Sequence, residues 1–415
     1  MITDETLPYG VLVPDSKTWM SDPDFYATSE VYSTWHTLRT EQSGYAESFT
    51  SLGSRYHSFF KYQECARLLR DDRLFTSRYG TIIESIDYPD TARDMTMTVS
   101  DGATHDLHRA PANRCLTKRS IEQKSDLIKR EIRSIVAAID EGDDVDLCAH
   151  TKSLPMGIFG PLLPVERDQW REVSELVFMS ILPEDPSFSG ELSPDAARRI
   201  SHAGIFATLV DAVDVQQKNP EQGVFCEYLE SDFLAEQRDP LESILANSYS
   251  LLMGAHATTN QVANHLANRL ANRTDICELL RSPAGDITSV VNEAVRWVSP
   301  TNHLLRRAVC DTEIGGQVIS EGDWVVGWVG SANRDETCII SPHKFDPHRR
   351  GKHLGFGIGS HYCIGSHIAS FGLAYFFEQL IRRFEITPGI STDQHTRSNW
   401  INGYSQMSIG LKERR

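Results

Sequence analysis

Apolar positions along this chain recur mostly at helical spacing, interrupted by short runs that alternate or turn. In "SLGSRYHSFFKYQECARLLRDDRLF" the segment "YQECARLLRD" reads as a short amphipathic helix following a strand. Residues 105–140 and 164–181 carry the helical period, and "LPEDPSFSGELSP" between such stretches predicts a surface loop. From 239 to 271, "DPLESILANSYSLLMGAHATTNQVANHLANRLA" keeps helical spacing with a proline near its start. That is roughly 50 Å of helix, enough to cross a whole domain, and its middle is apolar on most sides. "DITSVVNEAVRWV" predicts another helix, stopping before Pro300. The period then changes. "AVCDTEIGGQVISEGDWVVGWV" has Gly-Gly and Glu-Gly turns between β-branched runs, which predicts short strands and hairpins. A helical period returns in "SHIASFGLAYFFEQLIRRF", and the tail "NWINGYSQMSIGLKE" predicts a final hairpin turning at Asn-Gly.

The sum is a mainly α protein with small β-sheets, an α+β chain. No repeat, low-complexity tract or linker divides it, so residues 1–415 are expected to form one domain, β-richer over about 1–100 and helical over about 101–415. Hydrophobic content of 40% and charged content of 24% suit a soluble globular protein. The net charge of -16 argues against nucleic acid as a partner, because phosphate binding needs a basic footprint. The start "MITDETLPYG" is polar and no uninterrupted apolar run reaches membrane-span length, so no membrane association and a cytoplasmic location are expected. The eight cysteines form no CxxC pair and no cluster with zinc spacing, which fits free thiols in a reducing compartment.

One cysteine stands apart from buried filler. In "HLGFGIGSHYCIG", Gly355, Gly357 and Gly359 permit sharp turns and close approach of backbone to a flat ligand. Gly365 lets the following helix begin tightly against Cys363, and backbone N–H groups there can stabilise a thiolate. A thiolate so held can serve as the axial ligand of haem iron, with His361 placed to meet a propionate. Here the chain resembles the cytochrome P450 family, whose haem loop reads F-x-x-G-x-[HR]-x-C-x-G. Phe356, Gly359, His361, Cys363 and Gly365 fill every fixed position.

Other segments carry the same resemblance. "EAVR" matches E-x-x-R through Glu293 and Arg296, which share a helix face, and "FDPHR" supplies F-x-P-x-R through Phe345, Pro347 and Arg349. The resemblance makes Glu293, Arg296 and Arg349 structural. In "HDLHR", His105 and Arg109 match a pair that reaches a propionate, and Arg306 matches a further propionate contact. The match runs from about residue 50 to the C-terminus. It implies the cytochrome P450 fold, a triangular helical domain with a long central helix over the haem. It also implies haem b (iron protoporphyrin IX) as cofactor, bound by Cys363 as metal ligand with His105, Arg109, Arg306, Phe356, Gly357, His361 and Gly365 around it.

On the long helix, "MGAHATTN" falls where the family shows [AG]-G-x-[DE]-T-[TS]. Gly254 and Ala255 leave room for dioxygen, a local kink can follow, and Thr258 matches the alcohol that manages bound oxygen. Ala257 holds the usually acidic position. The proton relay must then use water with Thr258, the neighbouring His256, or a group on the substrate. After the cysteine, Ser370 and Gly372 stand where related bacterial enzymes often have Arg and Glu.

By resemblance the substrate pocket is lined by the segment before His105, the region near 178–206, the long helix, residues 300–305 and the C-terminal hairpin. Tyr79, Met95, Met97, Asn302, Trp400 and Tyr404 are the candidate contacts. Arg114, Lys118, Arg119, Arg349, Arg350 and Lys352 form a basic patch suited to an acidic ferredoxin. No G-x-G-x-x-G opens a βαβ unit, so electrons are expected from a separate ferredoxin and ferredoxin reductase. The expected activity is a haem-thiolate monooxygenase that hydroxylates or epoxidises a small organic molecule in specialised-metabolite biosynthesis, its substrate free or tethered to a carrier protein. The alternatives are oxidative C–C or C–heteroatom coupling, as of an aromatic cyclic dipeptide, aromatic nitration, a haem-based sensor or carrier, and a scaffolding protein with a vestigial loop.

Overall fold

The computed structural model describes Thr18–Arg414 apart from Ser29, Pro164, Glu221 and Gln222. The long helix spans Pro240–Asn272, begins with a proline, and is capped by Asp239, whose carboxylate accepts from Glu242 N at 3.0 Å. It stays helical throughout, Gly254 and Ala255 included. Twenty of its residues are buried, as expected of a helix apolar on most sides. Helices Leu154–Phe159, Trp170–Ile181, Pro194–Lys218 and Ile287–Val298 pack on it, and Ser366–Arg383 lies against Ile287–Val298 and Lys118–Ala137. Helix Ile287–Val298 is capped by Asp286 and stops at Ser299, whose φ of 45° turns the chain into Pro300.

The largest sheet orders Tyr45–Phe49, Arg55–Phe59, Trp324–Gly327, Leu304–Ala308 and Phe75–Thr76. Arg55–Phe59 pairs in parallel with Trp324–Gly327, in the register His57 to Val325, and the neighbouring pairs are antiparallel. A parallel pair needs a crossover, and here the intervening chain contains the long helix. The strands of the first hundred residues therefore share one sheet with strands from beyond Pro300 and are not a unit of their own.

Two local expectations are altered. The stretch expected as a surface loop contains a one-turn helix, Pro186–Ser189, because Asp185 accepts from Ser187 N and from Arg397 N. The tail is not a hairpin turning at Asn402-Gly403. Gln394–His395 pairs with Tyr404–Gln406 across a wide loop, and Ser408–Glu413 joins Gly142–Asp146 and Phe384–Pro388 in a three-stranded sheet. Asn402 instead donates to Tyr32 Oη at 2.7 Å and to Val298 O, which pins the loop to the helical core.

Candidate functional site

The loop before helix Ser366–Arg383 is closed by its own backbone. Cys363 N donates to Phe356 O at 2.8 Å, and Tyr362 N donates to Gly359 O at 3.1 Å. Gly357 and Gly359 adopt φ of 69° and 82°, a region that costs other residues strain. Gly359 also abuts the end of helix Tyr62–Arg70, where a Cβ would stand 2.9 Å from Arg70 Cα. Gly355 lies against helix Ile287–Val298, where a Cβ would meet Val295 O at 2.8 Å. The glycines thus serve both turning and close packing.

The Cys363 sulfur is half-buried and borders a cavity of about 280 Å³ between this loop and the long helix. Burial pushes its thiol up. The amides of Gly365 and Ser366 and the guanidinium of Arg109 act the other way and favour thiolate. Gly254, Ala255, Thr258 and Thr259 line the same cavity, as do His105, Arg109, Phe356, Gly357, His361 and Gly365. An adjoining space of about 150 Å³ shares Thr98, Leu304, Gly357 and His361 with it and reaches Arg306.

The rim is rich in donors. His105 Nδ1 and Nε2 face Met97 O at 2.6 Å and Ser360 O at 3.2 Å, and its ring centroid lies 4.1 Å from that of His361. Arg109 donates to Tyr362 O at 2.6 Å. His361 approaches Asp101 Oδ1 at 3.3 Å, but burial pushes the imidazole down to about 4. The contact is accordingly a hydrogen bond of a neutral ring to a carboxylate, not an ion pair. Hydrogen bonds from His361, Thr76 and Ser77 overcome burial and hold Asp101 at about 2. Arg306 is 3% exposed, and its side-chain hydrogen bond among the described residues goes to Leu305 O. Burial lowers it to about 10. A buried guanidinium with so much of its fork uncommitted calls for an anion. A sulfur ligand, an apolar cavity and cationic donors at its rim fit an iron porphyrin with its two carboxylates.

Thr258 Oγ1 donates to Gly254 O at 3.0 Å, one turn back on its own helix. His256 and Ala257 are not among the residues lining the cavity. His256 is fully buried, with Nδ1 on Leu252 O at 2.8 Å and Nε2 on Ser174 Oγ at 3.1 Å, so it faces the helix Trp170–Ile181. Of the substrate candidates, Met97 lines the cavity; Tyr79, Met95, Asn302, Trp400 and Tyr404 do not. The Tyr79 ring lies beneath the guanidiniums of Arg93 and Arg307, at 4.3 and 4.6 Å. Asn302 donates to Asn399 O, Asn302 N to Trp400 O, and Tyr404 stacks with His395 in a separate groove of about 750 Å³.

Glu293 and Arg296, both 1% exposed, form a bidentate pair with both contacts at 2.7 Å. Glu293 Oε1 also accepts from Arg349 Nε and from Asp346 N, each at 3.0 Å. Arg349 therefore belongs to this buried network and not to the basic patch. Arg114 pairs with Glu227 and Arg350 with Asp286, whereas Lys118, Arg119 and Lys352 are exposed.

Sequence reasoning missed four residues. Asn247, fully buried, accepts from Met97 N at 3.0 Å and donates to Met95 O at 2.9 Å, fixing that segment beside the cavity. Its helical register with Gly254 and Thr258 was the available signal. Asp101, the N-cap of helix Gly102–Cys115, anchors His361 from four residues before His105. Thr98 and Ser250 add hydroxyls to the cavity wall.

The cytochrome P450 family model matches residues 287–408. The chain is 27% identical to linalool 8-monooxygenase of Pseudomonas putida over 94% of its own length and 98% of that protein's. It is 23% identical to the steroid C26-monooxygenase of Mycobacterium tuberculosis (strain H37Rv), covering 94% and 96%. Among solved structures it is similar to P450 OxyD, involved in the biosynthesis of vancomycin-type antibiotics, with a TM-score of 0.84, 25% identity and coverage of 95% and 99%. A Mycobacterium marinum cytochrome P450 in complex with pseudoionone matches at a TM-score of 0.85 and 21% identity, covering 98% and 99%.

Proposed function

The chain belongs to the cytochrome P450 family and is an oxidoreductase of the monooxygenase type; on that premise we propose that it hydroxylates or epoxidises a small, largely apolar organic molecule of specialised metabolism. The observation that carries this reading is the Cys363 sulfur and the Thr258 hydroxyl bordering one apolar cavity from two different elements. Haem b, when bound, supplies the activation of dioxygen and the transfer of one oxygen atom to substrate. Cys363 would hold the iron, its thiolate stabilised by the amides of Gly365 and Ser366 and by Arg109. Arg109, Arg306, His105 and His361 would hold the propionates.

Thr258 manages protons. Its O–H rests on Gly254 O, so its oxygen is left to accept a hydrogen bond from within the cavity. The relay works without His256, which is committed to Ser174 and Leu252. Water held by Thr258, Thr259 and Ser250 takes the place of the missing acidic side chain at Ala257. Met97, Leu251 and Leu304 give the substrate apolar walls. That a similar protein is named for linalool favours an acyclic, terpenoid-sized substrate. Electrons arrive from a ferredoxin and its reductase at the face of Lys118, Arg119 and Lys352.

The test is an optical titration of the ferric protein against terpenoids, steroids, aromatic amino acids, cyclic dipeptides, macrolactones and fatty acids. A saturable shift from low to high spin, followed by a product one oxygen heavier with coupled reductant use, is expected for a terpenoid. A coupled or nitrated product, or binding without reductant use, would overturn the reading.

A further inference from the structure

Outside the lining of the cavity, three side chains from two parts of the chain converge. His36 lies on helix Val31–Thr40, and Glu336 and His343 lie on the segment that follows helix Val329–Ala332. His36 Nδ1 stands 2.9 Å and His343 Nε2 2.8 Å from the same atom, Glu336 Oε1. All three ligand atoms lie within 4.8 Å of one another, and the two rings meet edge to face at 5.7 Å. Two imidazoles aiming nitrogens at one carboxylate oxygen make a convergent donor set of the kind that takes zinc.

We propose that His36, Glu336 and His343 form a binding site for a divalent transition metal of the zinc class. The ligand type is right, since two imidazoles suit zinc, copper and nickel, whereas calcium and magnesium take all-oxygen shells. The geometry needs only a small adjustment. Bonds of about 2.0–2.1 Å in a tetrahedron set ligand atoms about 3.4 Å apart, so each His–Glu contact opens by roughly half an ångström. The carboxylate is already oriented from behind. Arg39, 3% exposed, reaches Oε1 at 3.1 Å and Oε2 at 3.4 Å and is itself fixed by Ser331 Oγ at 3.0 Å. An ionised carboxylate has lone pairs for both the guanidinium and a metal, and such outer hydrogen bonds orient ligands. The turn carrying Glu336 is held by Asp335, which accepts from Tyr62 N and from Thr337 N and Oγ1. Side-chain exposures of 18%, 33% and 26% leave a path to solvent and room for water in the fourth position.

The site would staple the N-terminal helix to the segment whose backbone serves the buried arginines. Pro342 O, next to His343, accepts from Arg296 at 3.0 Å, and Ser341 O accepts from Arg349 at 3.0 Å. Metal binding should therefore raise stability as well as bind.

The test uses the holoenzyme, stripped with a chelator and titrated with zinc against a chromophoric competitor. One zinc per chain is expected, with affinity at least about tenfold weaker in His36→Ala and in His343→Ala, and a thermal midpoint that zinc raises by a few degrees in the parent alone. No bound zinc in the parent, or equal binding in both variants, would overturn the site. Should either variant fold poorly, the zinc K-edge spectrum of the parent decides. Two imidazoles and an oxygen support the site, and a thiolate signal, from exposed Cys310 or Cys338, sinks it.

Discussion

Gly372 and Ile158 claim the same space: a Cβ on Gly372 would stand 2.4 Å from Ile158 Cδ1 and 2.5 Å from its Cγ1. Helix Ser366–Arg383 thereby comes close to helix Leu154–Phe159, and Ile158 in turn lines the cavity beside Cys363. The glycine where related enzymes often have a charged residue thus has a packing reason. Gly372→Ala gains about 1 kcal/mol of helix propensity but overpacks by about 1–3 kcal/mol. The net loss should be of order 1 kcal/mol, relieved by adding Ile158→Val. Thermal midpoints of the two variants check this, and a Gly372→Ala protein as stable as the parent would refute it.

Arg306 is buried beside the cavity, and among the described residues its guanidinium donates to Leu305 O. Replacing it with leucine should weaken haem retention by about tenfold or more, as for loss of a charge-assisted hydrogen bond. Arg306→Lys should recover part of this, because a point charge lacks the planar fork. Haem transfer to an apo-globin acceptor measures it. Unchanged transfer from the leucine variant would remove Arg306 from the propionate set.

Glu293 is the shared counter-ion of two arginines, and the network continues to the cysteine loop. Arg296 donates to Asn333 O at 2.8 Å, and Asn333 Oδ1 accepts from Leu354 N at 2.7 Å. Glu293→Gln strands Arg296 as an uncompensated buried charge, a change that costs about 3–5 kcal/mol. We expect little haem-loaded protein and a carbon monoxide complex that loses thiolate character. Normal yield and spectrum would show that the pair is dispensable.

Burial sets the acid limb of stability. His256, His353 and His361 are each held at about 4 and His303 at about 3, chiefly because burial disfavours the charged ring. Unfolded, each would titrate near about 6.5. Above that pH both states carry neutral rings and the stability is fully present. As pH falls from about 6.5 toward 4 the unfolded chain takes up protons that the folded chain refuses, so stability is lost. Asp101, held at about 2, adds its own loss only below about pH 4. The thermal midpoint should fall steadily from pH 7 to pH 5, and His256→Gln should shallow the slope by up to about 1.4 kcal/mol per pH unit. A flat midpoint over that range would contradict the assignment.

Much of this was legible in the sequence because it is local. The helical period gave the long helix almost to the residue, and the cysteine loop is a continuous stretch whose glycines report their own turns. What escaped depends on contacts between distant segments. Asn247 gains its purpose from backbone at 95–97, Gly372 from Ile158, and the final strand from partners 262–269 residues earlier that displaced the expected Asn-Gly hairpin. Trp400 and Tyr404 were expected at the pocket by resemblance; Trp400 sits in the 396–403 loop and Tyr404 in the strand after it, stacked on His395, and neither lines the cavity. His256 sits among small residues that line the cavity, and only the helical phase turns it toward Ser174.

That phase makes the last prediction specific to one alcohol. Thr258 lines the cavity, while Ala257 is 3% exposed and packed in the core. If Thr258 holds the water that delivers protons, Thr258→Ala should still bind substrate and accept electrons but waste them. General acid–base groups contribute about 10²–10⁴-fold, and with substitute water a tenfold or greater fall in product per reductant is expected, with peroxide released instead. Thr258→Ser keeps the hydroxyl and should stay near the parent. The measurement is the ratio of product to reductant consumed, alongside the peroxide formed. Equal coupling in the parent and Thr258→Ala would move the relay to the substrate's own groups, which the same assay could then test with an analogue lacking them.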